Sequence, residues 1–545
     1  MPSPTRVVCL GGGYVAIQLT RALRGAIRRG LVDVTVISRE NFQTFHGFVA
    51  EMLTGKIQPG QITNPARRIF PPARFHNAEI TAIDTAARTV TTSRLLDGRE
   101  QVLAYDHLVV ALGSTDDLSR YAGIAEHALK LKTYWDCFKA RNHLVHMLEM
   151  AEIETDPEER RRLLTFVVAG GNFGGIEVAT EIADWLQRLL RREYPHLDPA
   201  DARVVVVHSG QRILPELDRH HPALVDYAER FLATTPLLEI RRGAYVAAAT
   251  PDEVVLRSGE RIATRTIISC TGTAMSPLLG QLTGATRDER GRLATDHHLR
   301  VIGLDDVWAA GDCAAVPHPK GGSCPPTFAY ALSGGRQIAR NILRSVAGRP
   351  LERYTYAGFG DACSLGRRHA VSAAAGMPFG IKGRFAWLGW RAIAMSFVPT
   401  WDRRVRLLLD WLVWPIVGRD VVGLHIDEPY GMRRELYEPG QAIVEEGESG
   451  QRLYFILKGE VDVVQGTAGD ERHLATLTAG QHFGERAVLT NVRRTATVRA
   501  RSQVEVVALG REEALTLSRT VVPFAQAIGE LPGAERRDQA VSGVS

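Results

Sequence analysis

Cysteine is scarce in the 545-residue sequence. The six cysteines form no C-x-x-C pair and show no spacing typical of metal ligands; they lie at positions 9, 137, 270, 313, 324 and 363. We therefore expect no metal site and a reducing compartment, in which most thiols are buried as small apolar groups. The net charge is only +5. It gives no reason to expect a nucleic-acid partner, because proteins that bind nucleic acid concentrate basic charge on one patch or stripe.

Long apolar segments are also absent. No run approaches the roughly 18 residues of a membrane-spanning helix, and the N-terminal residues show a β-strand pattern from Arg6 onward instead of a secretion signal. These absences predict a cytoplasmic protein. The chain is too long for a single hydrophobic core, so several domains are expected.

A glycine-rich turn follows the first predicted strand, RVVCL at residues 6–10, and leads into a helix. Gly11, Gly13 and Ala16 match the dinucleotide motif G-x-G-x-x-G/A. In that motif the first glycine makes the turn, the second lets a pyrophosphate approach the backbone, and the third small residue lets helix and strand pack closely. The helix N-terminus then offers N–H groups to phosphate. The next strand ends without the usual acidic residue, so Glu40, just beyond it, is the candidate partner for a ribose hydroxyl.

A second strand, turn and helix of this kind occur at residues 163–186, where LLTFVVAG leads into GNFGGIEVATEIADWL. Strands that end in small-residue turns are predicted at 105–114 and 265–273, and the strand in DDVWAAGDCA ends at Gly311-Asp312. This is the layout of flavin oxidoreductases that bind two dinucleotides. The sequence predicts an α/β protein with two Rossmann-like domains.

The chain resembles the type II NADH dehydrogenases, which are single-subunit NADH:quinone oxidoreductases, over about residues 5–420. The resemblance is carried by GGGYVA, RENFQTFHGFVAEMLTGKIQPGQI, YDHLVVALGS, AEHALKLKTYWDCFKARNHL, GGNFGGIE, VWAAGDCA and CPPTFAYALSGGRQIARNIL. It implies that Asp312 bonds the ribityl chain of FAD and that Glu177 is a catalytic residue near the flavin and the quinone. It also implies FAD contacts at Gly11, Gly13, Ala16, Glu40, Ala111, Gly113, Gly311 and Asp312, and NADH or NADPH contacts at Gly170 and Gly175.

Two residues depart from the family in the second dinucleotide motif. Asn172 stands where the middle glycine lets the pyrophosphate approach, and its side chain occupies space that the cofactor normally uses. His208 ends the following strand, where an NADH-preferring site usually has a carboxylate for the ribose hydroxyls. Gln211 and Arg212 are candidates to contact a ribose or a 2′-phosphate. The choice between NADH and NADPH stays open.

The acceptor end departs as well. The family has glutamine and histidine after the Pro-Pro-Thr turn at positions where this chain has Ala329, Leu332, Ser333 and Gly334. The sequence therefore leaves the electron acceptor open. A related sulfide oxidase would need a redox-active cysteine pair near the flavin. Cys313 and Cys324 are the candidates, but their surroundings favour structural roles.

Five of the eight tryptophans lie within residues 381–419, with seven basic and two acidic residues. Helices with Trp and Leu on one side and Arg on the other lie in membrane interfaces and are attracted to anionic lipid. The family resemblance likewise implies peripheral attachment to the inner face of the cell membrane and a homodimer. Pro399 and Pro415 are expected to interrupt the segment, which excludes one spanning helix. The alternative is a helical pair buried against the flavin domain or a dimer partner.

Beyond residue 422 the pattern changes to short alternating strands with glycine turns, which predicts a small β-roll or jelly-roll barrel. This region resembles a cyclic nucleotide-binding domain over about residues 430–525. In FGERAVLTNVRRTATVRA, the resemblance implies that N–H groups near Gly484 to Ala487 meet the cyclic phosphate. Arg494 then supplies the charge that pairs with it, and Glu485 accepts the ribose 2′-OH. The implied contacts with cAMP or cGMP are Gly484, Glu485, Arg486, Ala487, Arg494 and Thr495.

The sequence therefore predicts an FAD oxidoreductase that transfers hydride from NAD(P)H to a quinone-like acceptor and is modulated by a cyclic nucleotide. Because the Trp-rich segment joins the barrel to the flavin domain, it is the element expected to shift. The alternatives are a redox-impaired scaffold that senses the nucleotide, or a flavoenzyme with another donor or acceptor. The expected domains are an FAD-binding domain split between residues 1–118 and 281–350, an NAD(P)H-binding domain (119–280), the Trp/Arg-rich segment (351–424), the barrel (425–525) and a flexible tail (526–545).

Overall fold

The computed structural model describes residues 3–117, 119–375, 377, 379–423, 433–448, 450, 452–466, 471–490, 492–520 and 524. The expected tail at 526–545 lies outside the described residues. Within them, no helix has both the length and the apolar character needed to cross a membrane.

Residues 3–117 form most of a first α/β unit. Its elements are β1 (Thr5–Leu10), α1 (Tyr14–Arg28), β2 (Val32–Ser38), β3 (Phe42–Thr44), α2 (Val49–Leu53), β4 (Thr63–Pro65), α3 (Ala66–Ile69), β5 (Arg74–Asp84), β6 (Thr89–Arg94), β7 (Glu100–Ala104), β8 (His107–Val110) and β9 (Thr115–Asp116).

Residues 119–280 form a second α/β unit. Its elements are α4 (Ile124–His127), β10 (Ala128–Leu129), α5 (Tyr134–Ile153), α6 (Pro157–Leu163), β11 (Thr165–Ala169), α7 (Phe173–Arg192), β12 (Arg203–His208), α8 (Pro215–Asp218), α9 (Pro222–Ala233), β13 (Leu238–Arg242), β14 (Val246–Ala249), β15 (Glu253–Leu256), β16 (Arg261–Ala263), β17 (Thr266–Ser269) and β18 (Thr273–Ala274).

The chain then returns to the first unit and continues into two helices. These elements are β19 (Leu293–Ala294), β20 (Val307–Ala309), β21 (Ala314–Ala315), α10 (Phe328–Val346), β22 (Gly360–Ser364), β23 (Ala370–Ala374), β24 (Ile381–Gly383), α11 (Arg384–Phe397) and α12 (Trp401–Val417). Pro399 lies between α11 and α12, whereas Pro415 lies inside α12. The expectation that Pro415 interrupts the segment is therefore wrong.

Two sheets with parallel central strands organise the two α/β units. The first has the order β20-β8-β1-β2-β5-β6-β7, and the second has the order β10-β17-β11-β12-β13. Strands β8 and β11 are buried along their whole length, which explains their unbroken apolar sequences, because helices cover both faces of a parallel sheet. The first sheet gains its edge strand β20 from the distant C-terminal half of the unit. That crossing brings Gly311-Asp312 beside the first glycine-rich turn.

The C-terminal region forms two facing antiparallel sheets. Its elements are β25 (Arg433–Tyr437), β26 (Ala442–Val444), β27 (Arg452–Lys458), β28 (Glu460–Gln465), β29 (Arg472–Thr478), β30 (His482–Phe483), α13 (Glu485–Thr490), β31 (Thr497–Ala500), β32 (Val504–Gly510) and α14 (Arg511–Thr520). The sheet orders are β25-β32-β27-β30 and β26-β31-β28-β29. Alternate residues of these strands meet in a shared apolar core, as the period of the sequence predicts.

Candidate functional site

A cavity of about 1090 Å³ is lined by residues of both α/β units. The turn that follows β11 and the turn that follows β17 both open into it, so it sits at the carboxyl ends of the strands, where open α/β sheets bind ligands. Its lining includes His46, Asp116, Lys132, Asn172, Glu177, Pro326 and Ala329. Residues from both units and from the N-terminus of α10 therefore surround one space.

The first glycine-rich turn leaves the N-terminus of α1 open. Gly11 has φ of 103°, and a Cβ there would lie 2.3 Å from the carbonyl oxygen of Ala111, so only glycine fits this turn. Gly13 is the N-cap of α1 and provides no side-chain cap, and no atom lies within 4 Å of where a Cβ would stand on Gly13 or Gly113. Backbone N–H groups of the first turn can therefore reach a phosphate. These residues fit the pyrophosphate of FAD.

Two other residues predicted for the flavin site differ in their exposure to solvent. Ala16 is fully buried between α1 and its sheet, which suits close helix–strand packing. Glu40 lies just beyond β2 and is exposed to solvent, where a ribose hydroxyl could reach it.

Asp312 is held by a small polar network. The Ser114 hydroxyl donates to Asp312 Oδ2 at 2.8 Å, and Lys132 Nζ donates to both Ser114 Oγ (2.9 Å) and Asp312 Oδ2 (3.4 Å). The main-chain oxygen of Lys132 also bonds to His46 Nε2 at 2.7 Å. Sequence reasoning missed Lys132. Its only signal was its place in the segment AEHALKLKTYW, because the partners of Lys132 come from residues far away in the chain.

Glu177 lies in the first turns of α7 and faces the cavity. Its Oε1 accepts a hydrogen bond from the backbone N–H of Ser364, at 2.9 Å. Burial raises the pKa of Glu177 to about 8, although the bond from Ser364 opposes the shift. At neutral pH the side chain is therefore a protonated acid that keeps one accepting oxygen, and it can hold or release a proton at the cavity wall.

Asn172 caps the helix that the second dinucleotide motif begins. Its Oδ1 accepts from the N–H of Gly175 at 2.9 Å, and its Nδ2 donates to the carbonyl oxygen of Cys270 at 2.8 Å. The cap satisfies an N–H that would otherwise be free. Helix α7 therefore differs from α1, whose first turn has no side-chain cap.

His208 at the end of β12 is also engaged within the protein. Its Nδ1 accepts from the N–H of Gly171 at 3.2 Å, and its Nε2 lies 2.9 Å from the carbonyl oxygen of Arg212. These two bonds hold the imidazole between the glycine-rich turn and the backbone of Arg212. The Arg212 guanidinium forms ion pairs with Asp218 and Asp226, so it is not free to meet a ribose or a 2′-phosphate.

Small residues in α10 serve close helix packing. A Cβ on Gly335 would lie 2.2 Å from the carbonyl oxygen of Val15, and one on Gly334 would lie 2.7 Å from the Cβ of Ala310. Glutamine does not fit at either position without moving α10 away from its neighbours. Ala329, in contrast, lines the cavity and leaves space where a larger side chain would stand.

The cysteines have no activated thiolate at the two candidate positions. Cys313 and Cys324 are buried, and burial raises the pKa of each thiol to about 11. All six cysteines are free thiols. A reactive cysteine requires a lowered pKa, so the geometry does not favour the sulfide-oxidase alternative.

Helices α11 and α12 and the turn after them bury two of the arginines predicted to face lipid. Arg391 lies between the rings of Trp387 and Trp411, at 4.2 and 4.3 Å from their centroids, and it forms an ion pair with Glu51 of α2. Arg419 forms ion pairs with two acidic residues of α7 at 2.6 and 3.0 Å. The prediction of an outward basic face is wrong at these two positions, because buried carboxylates require their charge.

The outer surface of the same helices is apolar and exposed. Trp401 is 77% and Ile416 is 85% exposed, and the surface continues over Phe385, Leu388, Ile393, Leu408, Leu409, Leu412, Val413 and Val417. A patch of this kind marks an interaction surface. We refer to these ten residues as the apolar face.

In the barrel, Arg494 lies buried beside the start of α13. Its guanidinium donates to the carbonyl oxygens of Gly484 (3.0 Å) and Arg452 (2.7 Å). Burial lowers the pKa of Arg494, and both of these acceptors are neutral. Glu485 begins α13 close by, Ala487 is buried, and Arg486 and Thr495 are exposed. The cassette residues are thus assembled around a buried cation that a phosphate would neutralise.

Two family models match the chain. The model described as pyridine nucleotide-disulphide oxidoreductase matches residues 5–335, and the model described as cyclic nucleotide-binding domain matches residues 434–520. Among curated proteins, the type II NADH:quinone oxidoreductase NdhA of Mycobacterium tuberculosis is 29% identical over 421 residues, covering 74% of this chain and 86% of that protein. An internal alternative NAD(P)H-ubiquinone oxidoreductase of Arabidopsis thaliana mitochondria is 26% identical, covering 76% of this chain and 85% of that protein.

Solved structures show the same fold. NDH2 from Plasmodium falciparum in complex with NADH superimposes with a TM-score of 0.69 at 17% identity, over 77% of this chain and 99% of that chain. The sulfide:quinone oxidoreductase of Aquifex aeolicus gives a TM-score of 0.58 at 17% identity, over 74% of this chain and 92% of that chain. These findings confirm the predicted fold class and the resemblance of the C-terminal region to a cyclic nucleotide-binding domain.

Proposed function

The chain belongs to the pyridine nucleotide-disulphide oxidoreductase family. On this premise we propose that it transfers hydride from NAD(P)H through FAD to a quinone-like acceptor. The observation that carries the proposal is the shared cavity of about 1090 Å³, which lies at the carboxyl ends of β11 and β17, is also lined by residues of the first unit, and has Glu177 in its wall. The similarity to type II NADH:quinone oxidoreductases supports the same reaction.

FAD would be held by the first α/β unit. The uncapped N-terminus of α1, behind Gly11 and Gly13, receives the pyrophosphate, and Glu40 receives a ribose hydroxyl. Asp312, oriented by Ser114 and Lys132, receives the ribityl chain. The chemistry that FAD supplies when bound is acceptance of a hydride and delivery of two electrons to the acceptor.

Glu177 would manage the proton that accompanies those electrons. Reduction of a quinone consumes protons, and a carboxyl with a pKa near 8 is protonated at neutral pH and can donate. The bond from the Ser364 N–H fixes one oxygen, so the acidic proton resides on the other. The side chain can then return to its protonated form from solvent through the cavity.

The donor site is altered at its pyrophosphate end. Gly170 and Gly175 keep the turn, but Asn172 already satisfies the N–H of Gly175, and the His208 imidazole stands where a ribose-binding carboxylate is usual. These two observations favour a second candidate, a flavoenzyme of the same fold with a different electron donor. They also favour a nucleotide-sensing scaffold without turnover.

The barrel would bind cAMP or cGMP as an effector. The match to cyclic nucleotide-binding domains supports this, and Arg494 with Glu485 supplies the cation and the carboxylate that the phosphate and the ribose 2′-OH require. Thr495 is exposed beside Arg494, where its hydroxyl can meet the base of cGMP.

The apolar face would attach the protein to the cytoplasmic surface of the cell membrane, where a quinone is found, or to a second copy of the chain. Helices that bury such side chains at a lipid surface are stabilised by about 1.5–3 kcal/mol for each large residue. A homodimer would cover the same surface.

Anaerobic titration of the purified protein with NADH, followed by flavin absorbance, tests the proposal. Stoichiometric bleaching, and its reversal by a soluble quinone, is the expected result. A bound flavin that neither NADH nor NADPH bleaches would favour another donor. A protein that is purified gently and contains no flavin would favour the scaffold. Repeating the titration with cAMP and with cGMP tests the effector.

A further inference from the structure

Strand β25 is an edge strand whose outer side is covered by the second α/β unit. It is the terminal strand of the sheet β25-β32-β27-β30. The N–H of Leu436 donates to Nε2 of His127, the last residue of α4, at 3.0 Å. Burial lowers the pKa of His127 to about 4, with Arg433 contributing, so the imidazole is neutral and Nε2 accepts. An edge N–H that would otherwise face solvent is thus satisfied by the other unit.

A second contact anchors the barrel to the same unit. Gln441 Nε2 donates to Thr250 Oγ1 at 3.1 Å and to Glu253 Oε1 at 2.6 Å. Gln441 also accepts from the N–H of Glu438 at 2.7 Å, which fixes its orientation. The barrel therefore rests on α4 and on the hairpin that contains β14 and β15. The Trp-rich helices are not the only connection between the barrel and the redox units.

Inside the barrel, the docked strand is linked to the phosphate-binding arginine. Glu435, which is 4% exposed, accepts from Arg452 (2.8 Å) and from the hydroxyl of Tyr437 (2.8 Å). The carbonyl oxygen of the same Arg452 accepts from Arg494 at 2.7 Å. Hydrogen bonds therefore link Arg494, through Arg452, to the strand that His127 holds.

From His127 the chain leads directly to the flavin site. His127 is followed by β10, which pairs with β17 of the second sheet, and then by Leu131 and Lys132, which line the cavity. Lys132 bonds both Ser114 and Asp312. Only the segment from His127 to Lys132 therefore separates the barrel contact from the amine that orients Asp312.

We propose that a cyclic nucleotide bound by the barrel acts on the redox site through the β25–His127 contact. The inference rests on the proposed function, whose regulation it specifies. The element with two arrangements is Arg494, which bonds either to the carbonyls of Gly484 and Arg452 or to a phosphate. Its release from Arg452 relaxes the bonds of Glu435 and shifts β25 against α4. Ligands at the two sites must then change each other's affinity by the same factor.

The effect of NAD⁺ on the affinity for the cyclic nucleotide tests the proposal without any need for catalysis. The affinity of the full chain for cAMP and for cGMP is measured by calorimetry with and without saturating NAD⁺. In the wild type we expect NAD⁺ to change the cyclic nucleotide affinity by a factor of roughly five or more, which is the lower end of typical coupling between two sites. His127→Ala should bring that factor close to one while the nucleotide still binds. His127→Gln keeps a hydrogen-bond acceptor and should retain part of the coupling. His196→Ala changes an exposed histidine and should retain the full coupling.

Hydrogen exchange provides the second readout. Adding the nucleotide should change exchange in residues 124–132 of the wild type and of His196→Ala but not of His127→Ala. If the nucleotide binds, yet the factor is one in the wild type and exchange at 124–132 is unaltered, the proposal is overturned while the effector site and the oxidoreductase assignment stand. Unchanged coupling in His127→Ala also overturns it. If neither nucleotide binds, the effector role falls together with the proposal.

Discussion

The side-chain oxygen of Asn172 lies 2.9 Å from the backbone nitrogen of Gly175 and accepts its hydrogen bond. One residue thereby closes the N-terminus of α7, whereas α1 begins at Gly13 with no side-chain cap. Both helices follow a glycine-rich turn at the end of a parallel strand. The protein therefore has one helix N-terminus without a side-chain cap and one at which a side chain already takes one of the N–H groups.

Replacing Asn172 with Gly should improve binding of the nicotinamide dinucleotide. The substitution frees the N–H of Gly175, and a hydrogen bond to a charged group is worth about 1.5–3 kcal/mol, so the KM for NADH should fall roughly tenfold. Stability should fall by about 1 kcal/mol, because Gly is an acceptable N-cap but the hydrogen bond from Asn172 Nδ2 to the Cys270 carbonyl oxygen is lost. Steady-state kinetics and thermal unfolding measure the two quantities.

Asn172→Asp is the matched control for that prediction. Aspartate caps the helix as well as asparagine and, like glycine, loses the bond to the Cys270 carbonyl oxygen. It also places a negative charge beside the pyrophosphate, so the KM should rise. An unchanged KM in both variants would mean that the donor does not place its pyrophosphate at α7.

Glu177→Gln should remove a pH-dependent proton donor. With a pKa of about 8, wild-type quinone reduction should decline as the pH rises through 8, because the acid form is lost. Glu177→Gln should be slower by roughly 10²-fold, which is the lower range for general acid catalysis, and should show no such decline. Rapid-reaction measurement of flavin reoxidation separates this step from reduction by NADH, which the substitution should leave nearly unchanged.

The same residue should make stability pH-dependent. Because its pKa is raised on folding, the folded protein binds more protons between about pH 4.5 and pH 8. Its contribution to the free energy of unfolding is therefore fully present below pH 4.5 and is lost as the pH rises through 8. The free energy of unfolding of the wild type relative to that of Glu177→Gln should fall over this pH window by about 1.4 kcal/mol for each unit by which folding raises the pKa. A difference that is constant with pH would contradict the raised pKa.

Arg391→Leu should be strongly destabilising. It would leave Glu51 buried without its partner and would remove the cation between two tryptophan rings. Loss of one member of a buried ion pair costs about 3–5 kcal/mol. Arg384→Leu, on the exposed first turn of the same helix, should change the free energy of unfolding by about 0.5 kcal/mol or less. Denaturant unfolding of both variants makes the comparison.

The double substitution Leu412→Asp and Ile416→Asp should weaken attachment to vesicles that contain anionic lipid, because these side chains are 68% and 85% exposed. Each lost apolar contact should reduce partition roughly tenfold. Leu96→Asp provides the control, since Leu96 is 97% exposed and lies outside the apolar face. If flotation with vesicles is equal for wild type and both variants, this surface does not bind lipid, and sedimentation would then show whether it holds a dimer.

Arg494→Lys should weaken binding of cAMP and cGMP by roughly 10- to 100-fold. Lysine keeps the charge but cannot hold two acceptors in one plane, and a charge-assisted hydrogen bond is worth about 1.5–3 kcal/mol. Arg493→Lys, at the neighbouring exposed position, should bind normally. Calorimetry of both variants decides whether Arg494 is the phosphate ligand, since equal affinities would exclude it.

Local patterns in the sequence determine much of this protein. The apolar strand before Gly11, the one before Asn172 and the alternating strands after residue 422 each specify an element through the burial of their own side chains. They are sufficient to predict two Rossmann-like units and a β-roll. The candidate residues Gly13, Glu177, Asp312 and Arg494 follow from motifs within a few residues of such strands.

Only the tertiary structure decided what those residues contact. The ion pair of Arg391 with Glu51, the support of Asp312 by Lys132 and the docking of Leu436 on His127 each join residues far apart in the sequence. No local pattern encodes such pairs, because burial fixes only that a charge must find a partner, and the packing of whole units fixes which partner it finds. The sequence therefore predicted a barrel that follows an oxidoreductase in the chain. The fold placed that barrel against His127, close in the chain to residues that line the cavity of the oxidoreductase.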